Sequence, residues 1–382
     1  MSAQSNACRS LNEKIMKVLR VVFAGGGTGG HLYPAMAIAE EFQRRVKNFQ
    51  CVFIGTERGI EARVVPKQGY RLELVPVRGL LRQFTLRNLL VPYYLIKSIW
   101  QCLRVFNQFQ PDLIIGTGGY VSGPALLAAW LSRRKFAVQE QNSFPGLVNR
   151  WWGERADLVF LSFAASRKFF RRQAHLRVTG NPVRTNFNHE NRESAAKKWE
   201  LQQDRTTLLV FGGSQGARKI NELMLAILPR FQTLENFQVL WATGAQNFDE
   251  VVRRAGKVRQ VKIVPYIDDM ASAFSLANFV LCRAGASTIF ELAHYGLPSL
   301  LVPFPYATAD HQTFNARVLE QAGAARLLVE KELTEEKLFH HIQELAVHTE
   351  IRQPMAAAAK LMARPQAASE IVEACLALVE GY

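Results

Sequence analysis

Two glycine-rich turns, each set directly between a short apolar run and a helical stretch, limit this chain's fold more than any other feature. The first is GGGTGGH at 25–31, after the β-branched run 18–24. The second is GGSQG at 212–216, after the apolar run 207–211. A strand that ends in glycines and then enters a helix opens a βαβ unit, and its backbone amides suit phosphate. The pattern therefore starts twice. Further apolar runs follow the first turn at 51–55, 112–115, 135–139 and 158–161, with helical periodicity at 34–46. The second half repeats this at 238–243, 261–264, 279–282 and 300–303, with a helical stretch at 221–228. Strands alternating with helices predict an α/β chain with two doubly wound, parallel-sheet domains. Its 382 residues fit two or three domains. Asn181-Pro182, near the midpoint, marks the expected linker, with domains at about 17–181 and 182–361. Ligands of such sheets bind outside the strand carboxyl ends, so the expected site is a cleft between two facing domains.

Charge separates the two halves. Residues 1–190 hold 27 Lys and Arg against 11 Asp and Glu, whereas 191–382 hold 20 against 21. The whole excess of the +15 chain is thus N-terminal, which points to an anionic partner there. No recognition-helix or RNA-binding signature accompanies it, so lipid or a phosphorylated substrate is expected rather than nucleic acid. The five cysteines are scattered without CxxC spacing, which argues against a disulfide framework or zinc site. Residues 1–17 are polar, with no signal-peptide core, and Met16 is a second candidate start.

Four segments carry chemistry. In the first turn, Thr28, Gly29 and Gly30 precede His31, a side chain that can exchange protons near neutral pH. The second turn supplies amides and the Ser214 hydroxyl, which suit a diphosphate. The third runs CRAGASTIFE at 282–291: small residues allow close approach of a ligand, and a helix then begins. Ala286, Ser287, Thr288, Ile289 and Phe290 lead to Glu291, whose carboxylate can accept from two ribose hydroxyls. The fourth, PFPYATADHQ at 303–312, ends in three hydrogen-bonding side chains suited to sugar hydroxyls, Gln312 last.

Joined in order, these segments resemble the MurG family of bacterial N-acetylglucosaminyltransferases, which make lipid II for peptidoglycan. The match is carried by GGGTGGHLYPAMAIAE at 25–40, GTGGYVSGPALLAAW at 116–130, EQNSFPGLVNR at 140–150 and TGNPVR at 179–184. It continues through FGGSQGARKIN at 211–221, YIDDM at 266–270, the long run 282–316 and QAGAA at 321–325. One departure is visible: the family often has His-Glu-Gln-Asn where this chain has Gln139-Glu140-Gln141-Asn142. No histidine is available to act at 139.

The resemblance implies the GT-B architecture, two Rossmann-like domains facing across a cleft, with a last helix at about 362–382 packed back on the first domain. It implies UDP-N-acetylglucosamine as donor and lipid I as acceptor, with no cofactor and no metal. Ile267 would meet the uracil, Glu291 the ribose, Ser214 and Arg184 the diphosphate, and Gln312 the sugar. Thr28, Gly29, Gly30 and Asn142 would approach the donor from the other domain. The acceptor 4-hydroxyl would displace UDP with inversion. His31 is the nominated base and Glu140 the alternative.

An acceptor on an undecaprenyl chain implies work at the cytoplasmic face of the inner membrane, as a peripheral protein, with other cell-wall synthesis proteins as potential partners. Residues 74–111 contain no acidic residue, and their basic and apolar side chains alternate. The expected membrane patch is Leu80, Leu81, Phe84 and Leu86 with Arg78, Arg82 and Arg87. Competing expectations are another lipid glycosyltransferase of the same fold, a UDP-sugar epimerase, a nicotinamide oxidoreductase, and a non-catalytic basic module.

Overall fold

The computed structural model describes residues 18–77, 90–183, 189–213, 216–256 and 258–379. The chain divides at 184/185 and again at 364/365 into two compact units, and the first unit takes back the end of the chain.

The first unit is a seven-stranded parallel sheet. Its strands are β1 Leu19–Gly25, β2 Phe49–Gly55, β3 Arg71–Leu74, β4 Leu113–Gly118, β5 Phe136–Glu140, β6 Leu158–Leu161 and β7 Leu176–Val178, in the order β3-β2-β1-β4-β5-β6-β7. Its helices are α1 Gly29–Arg45, α2 Glu61–Lys67, α3 Val91–Phe109, α4 Ser122–Leu131 and α5 Leu147–Gly153. Both faces of the sheet are covered, which is why the central strands are apolar throughout rather than alternating. Val22, Ala24, Ile114 and Val138 face one core, with Cys102 and Phe106 of α3, Leu126 of α4 and Trp152 of α5. Val21, Phe23, Ile115 and Phe160 face the other, with Leu32, Met36 and Phe42 of α1.

The second unit repeats the plan with six parallel strands. These are β8 Thr206–Phe211, β9 Phe237–Ala242, β10 Val261–Val264, β11 Phe279–Cys282, β12 Ser299–Leu301 and β13 Ala325–Leu327, in the order β10-β9-β8-β11-β12-β13. Its helices are α6 Arg192–Trp199, α7 Arg218–Ile227, α8 Phe248–Ala255, α9 Met270–Leu276, α10 Ala286–Tyr295, α11 His311–Gln321, α12 Glu335–Val347 and α13 Thr349–Leu361. The last helix, α14 Ala367–Leu378, then packs on α1 of the first unit, burying Ile371, Val372 and Cys375 beside Phe23 and Met36.

In each sheet the strand order reverses beside the first strand, between β1 and β4 and between β8 and β11. Those two crevices are the topological switch points where doubly wound sheets bind ligands. The first glycine turn, and Gly212 and Gly213 of the second, directly follow β1 and β8 there. Two local differences from the sequence expectation matter there. Helix α1 starts at Gly29 rather than 34, so His31 lies in its first turn. Strand β4 runs through Gly118, whereas the apolar run marked only 112–115. Gly116 belongs in the strand because α4 packs directly on it: a Cβ there would lie 2.8 Å from a Leu126 methyl.

Candidate functional site

In the first unit the site is assembled at the carboxyl ends of β1, β4 and β5. The turn after β1 is held from below by a side chain that the sequence pattern does not flag. Glu61, at the start of α2, is 1% exposed. Its carboxylate accepts from the Gly27 amide at 2.8 Å, the Thr56 amide at 2.8 Å and the Thr56 hydroxyl at 2.9 Å. Gly26 allows this approach, since a Cβ would lie 2.4 Å from the carboxyl carbon. One amide of the glycine turn is therefore committed to a carboxylate rather than offered to phosphate, unlike the simple expectation for such a turn.

His31 is half-buried against the backbone of Gly118 and Gly119. Its Nδ1 lies 3.0 Å from the Thr117 carbonyl and 2.9 Å from Gln141 Oε1. Both partners are acceptors, so Nδ1 carries the proton in the neutral ring and Nε2 keeps the lone pair. Burial lowers the His31 pKa below its ordinary value. The hydrogen bonds to Gln141 and Thr117 and the charge of Glu61 oppose that shift.

Glu140 ends β5 and is 1% exposed. One oxygen accepts from the Asn142 amide at 2.8 Å and Asn142 Nδ2 at 3.2 Å. The other accepts from the Gly146 amide at 3.0 Å and Asn149 Nδ2 at 2.8 Å. Burial pushes its carboxyl up from the ordinary value against these four donors. This carboxylate anchors the 141–149 loop, a geometry unlike that of an open proton acceptor. Thr28, Gly29, Gly30, His31, Glu140 and Asn142 thus share one end of one sheet, as the motifs suggested. Thr117 of β4, Gln141 just after β5 and Asn149 of α5 join them, although the sequence reading gave none of the three a role.

In the second unit Gly285 precedes α10, and no side chain among the described residues caps that helix. Ala286, Ser287 and Thr288 form its first turn, Ile289 and Phe290 are buried, and Glu291 sits half-buried in its second turn. Ile267, 3% exposed, lies between β10 and α9. Asp269 caps α9 through the Ser272 amide at 3.1 Å and pairs with Lys198. Gln312, in the first turn of α11, accepts the Phe304 amide at 2.9 Å, leaving its NH2 to donate. Arg283 fixes the loop between them. Its guanidinium donates to the Val302 and Pro303 carbonyls at 3.1 and 3.0 Å, pairs with Glu330 at 2.5 Å, and lies 5.4 Å over the Phe304 ring. Ser214 and Arg184 lie outside the described residues, as do Arg78, Leu80, Leu81, Arg82, Phe84, Leu86 and Arg87.

Helices α3, α4 and α5 cover the same face of the first sheet, and their outer side is unusually apolar. Ile96 is 68% exposed, Trp100 60%, Leu147 74% and Trp151 60%. Arg104, Arg150 and Arg155 stack on Trp100, Phe144 and Trp151 at 5.9, 5.4 and 5.1 Å. A groove of about 690 Å³ lies along α5. No helix among the described residues is long and apolar enough to cross a membrane. Among the described residues, no three His, Cys, Asp or Glu side chains are grouped to hold a metal ion.

Comparison with known proteins agrees with this layout. Residues 21–161 match the glycosyltransferase family 28 N-terminal domain, and residues 207–371 match the glycosyltransferase family 28 C-terminal domain. A UDP-N-acetylglucosamine–N-acetylmuramyl-(pentapeptide) pyrophosphoryl-undecaprenol N-acetylglucosamine transferase from Chlorobaculum tepidum is 45% identical over 364 residues, 94% of this chain and 99% of the relative. The crystal structure of Acinetobacter baumannii MurG superposes with a TM-score of 0.73 at 28% identity, covering 93% of this chain and 98% of that one. A UDP-GlcNAc 2-epimerase from Neisseria meningitidis, at 14% identity and a TM-score of 0.64 over 95% of this chain and 100% of that one, shares the fold alone. The fold is GT-B. The chain belongs to the family of UDP-N-acetylglucosamine–N-acetylmuramyl-(pentapeptide) pyrophosphoryl-undecaprenol N-acetylglucosamine transferases, within glycosyltransferase family 28.

Proposed function

We propose that this chain transfers N-acetylglucosamine from UDP-N-acetylglucosamine to the 4-hydroxyl of the N-acetylmuramyl group of lipid I, with inversion, giving lipid II. The observation that carries this is the near-complete match to a transferase of that name, 99% of whose length is covered at 45% identity. The epimerase alternative rests on fold likeness at 14% identity, which carries no chemistry.

His31 is the base in this reaction. Its Nε2 holds a lone pair at neutral pH because burial disfavours the imidazolium. It takes the proton of the attacking hydroxyl as that oxygen bonds to the anomeric carbon and the bond to UDP breaks. Charge grows on the leaving diphosphate. The first-turn amides of α10, at the positive end of a ten-residue helix, suit that charge, with Arg184 and Ser214 as further ligands. Glu291 takes the ribose hydroxyls, the backbone at Ile267 the uracil, and the Gln312 NH2 the donor sugar. Glu140 keeps Asn142 in place rather than moving protons.

The first unit works at an anionic membrane surface. The arginines stacked on exposed aromatic rings of α3 and α5 support this, as does the basic, leucine-containing segment 78–87. The test of the reaction is incubation of the purified chain with radiolabelled UDP-N-acetylglucosamine and a lipid I analogue, without added metal. Label is expected in the glycolipid. Replacing His31 with Gln should lower kcat by about 10²- to 10⁴-fold with little change in the donor KM. Label released as free sugar would defeat the proposal.

A further inference from the structure

We propose that Gln141 is a positioning residue that holds His31 with its proton on Nδ1 and its lone pair on Nε2, and that Gln139 seats Gln141 for this task. The inference rests on His31 as base and goes beyond it, assigning the groups that set its tautomer.

The polarity of this hydrogen-bond chain is dictated by backbone carbonyls, which cannot turn over. Gln141 Nε2 lies 2.6 Å from the Thr117 carbonyl and 3.1 Å from the Gln139 carbonyl. Only an NH2 can sit between two carbonyl oxygens, so the Gln141 side-chain oxygen must face His31. Nδ1 then has two acceptors, Gln141 Oε1 and the Thr117 carbonyl, and has to donate. Gln139 completes the seat. Its side-chain oxygen also accepts from Gln141 Nε2, and its own NH2 donates to Ser162 Oγ at 3.2 Å and Asn181 Oδ1 at 3.1 Å. Thr117, Gln139, Gln141 and Asn181 are all 0–1% exposed, so bulk water has no access to replace a lost partner.

This assigns a requirement to position 139. Its side chain must accept toward Gln141 and donate toward Ser162 and Asn181. A carboxamide does so, and so does a neutral imidazole, the residue type that the family often places there. Position 139 then acts through Gln141 and not on substrate. The charged group felt by the His31 ring is Glu61 from α2. Thr117 and Gln141 are neutral, Glu140 turns its carboxylate toward Gly146 and Asn149, and the Tyr120 hydroxyl lies over the glycine turn near Gly27.

The test uses the full chain labelled with ¹⁵N-histidine. Long-range ¹H–¹⁵N spectra report the tautomer, and His31→Gln assigns the His31 signals. The wild type should show the Nδ1–H form. Gln141→Leu and Gln139→Leu should mix the tautomers and lower kcat about 10- to 100-fold, with the KM for UDP-N-acetylglucosamine within about twofold. In Gln141→Leu the acid limb of the kcat profile should move to lower pH, because an acceptor that favours the imidazolium is gone. Gln139→His should recover most of what Gln139→Leu loses. An Nε2–H ring in the wild type overturns the proposal, even if the variants fail to fold. A Gln141→Leu enzyme with unchanged tautomer and kcat also overturns it. Should His31→Gln keep full kcat, the base assignment falls, whereas the spectra still decide whether Gln141 sets the tautomer.

Discussion

Glu140 directly precedes Gln141, the partner of His31, and burial moves the pKa of Glu140 and of His31 in the direction that disfavours charge. For His31 the native ring binds a proton less readily than the unfolded one. Its contribution to stability is therefore present above the ordinary value of about 6.5 and lost as pH falls through the lowered folded value. Glu140 differs because its two oxygens face four donors. In Glu140→Gln, the new NH2 would point at two of those donors, so one side of the loop would lose its acceptor at a side chain that is 1% exposed. The variant should lose about 1–3 kcal/mol of stability in urea unfolding monitored on the first unit. A loss under about 0.5 kcal/mol would show that the 141–149 loop is held by something else. None of these partnerships was legible in the sequence. His31 and Glu140 stand out as residue types, but Glu61, Thr117, Gln141 and Asn149 come from separate strand and helix ends. Only the folded sheet and its helices bring them within hydrogen-bonding distance.

At the level of elements, sequence and structure agree where one physical signal dominates. Strands β11 and β6 lie where their apolar runs placed them, because buried parallel strands are apolar on both faces, and the half-buried edge strand β10 also matches its run. The start of α1 was hidden because the glycines of the turn are themselves the first helical residues. The start of α10 within 282–291 was legible because a run of small residues ends there in a helical pattern. What held the neighbouring loop was not. Arg283 reads as one more cation, yet its guanidinium, just past β11, holds the loop after β12 by the Val302 and Pro303 carbonyls and pairs with Glu330. That loop holds Gln312 through the Phe304 amide. Arg283→Met should raise the KM for UDP-N-acetylglucosamine about tenfold, or ~1.4 kcal/mol, while kcat at saturating donor changes less. An unaltered donor KM would mean the loop keeps its shape without the guanidinium.

For the whole molecule, the proposed division of labour follows the division of charge. The half that carries the excess of basic residues also exposes Ile96, Trp100, Leu147 and Trp151 on one face of its sheet. Each Lys or Arg near an anionic bilayer contributes about 1 kcal/mol, and salt weakens the effect. Replacing Leu81 and Phe84 together with Ser should weaken binding to anionic vesicles while leaving UDP-N-acetylglucosamine affinity intact. Unchanged vesicle affinity would remove segment 78–87 as the proposed membrane patch. The repeated strand–glycine–helix pattern made the two-unit architecture legible, since each half opens a parallel sheet in the same way. The central claim is a direct displacement in which a hydroxyl, relieved of its proton by His31, replaces UDP on the sugar. The linkage formed in the glycolipid product tests it most directly, by NMR of the anomeric proton after transfer from the α-linked donor. A β-linked N-acetylglucosamine is the predicted result, and an α-linkage would contradict the account.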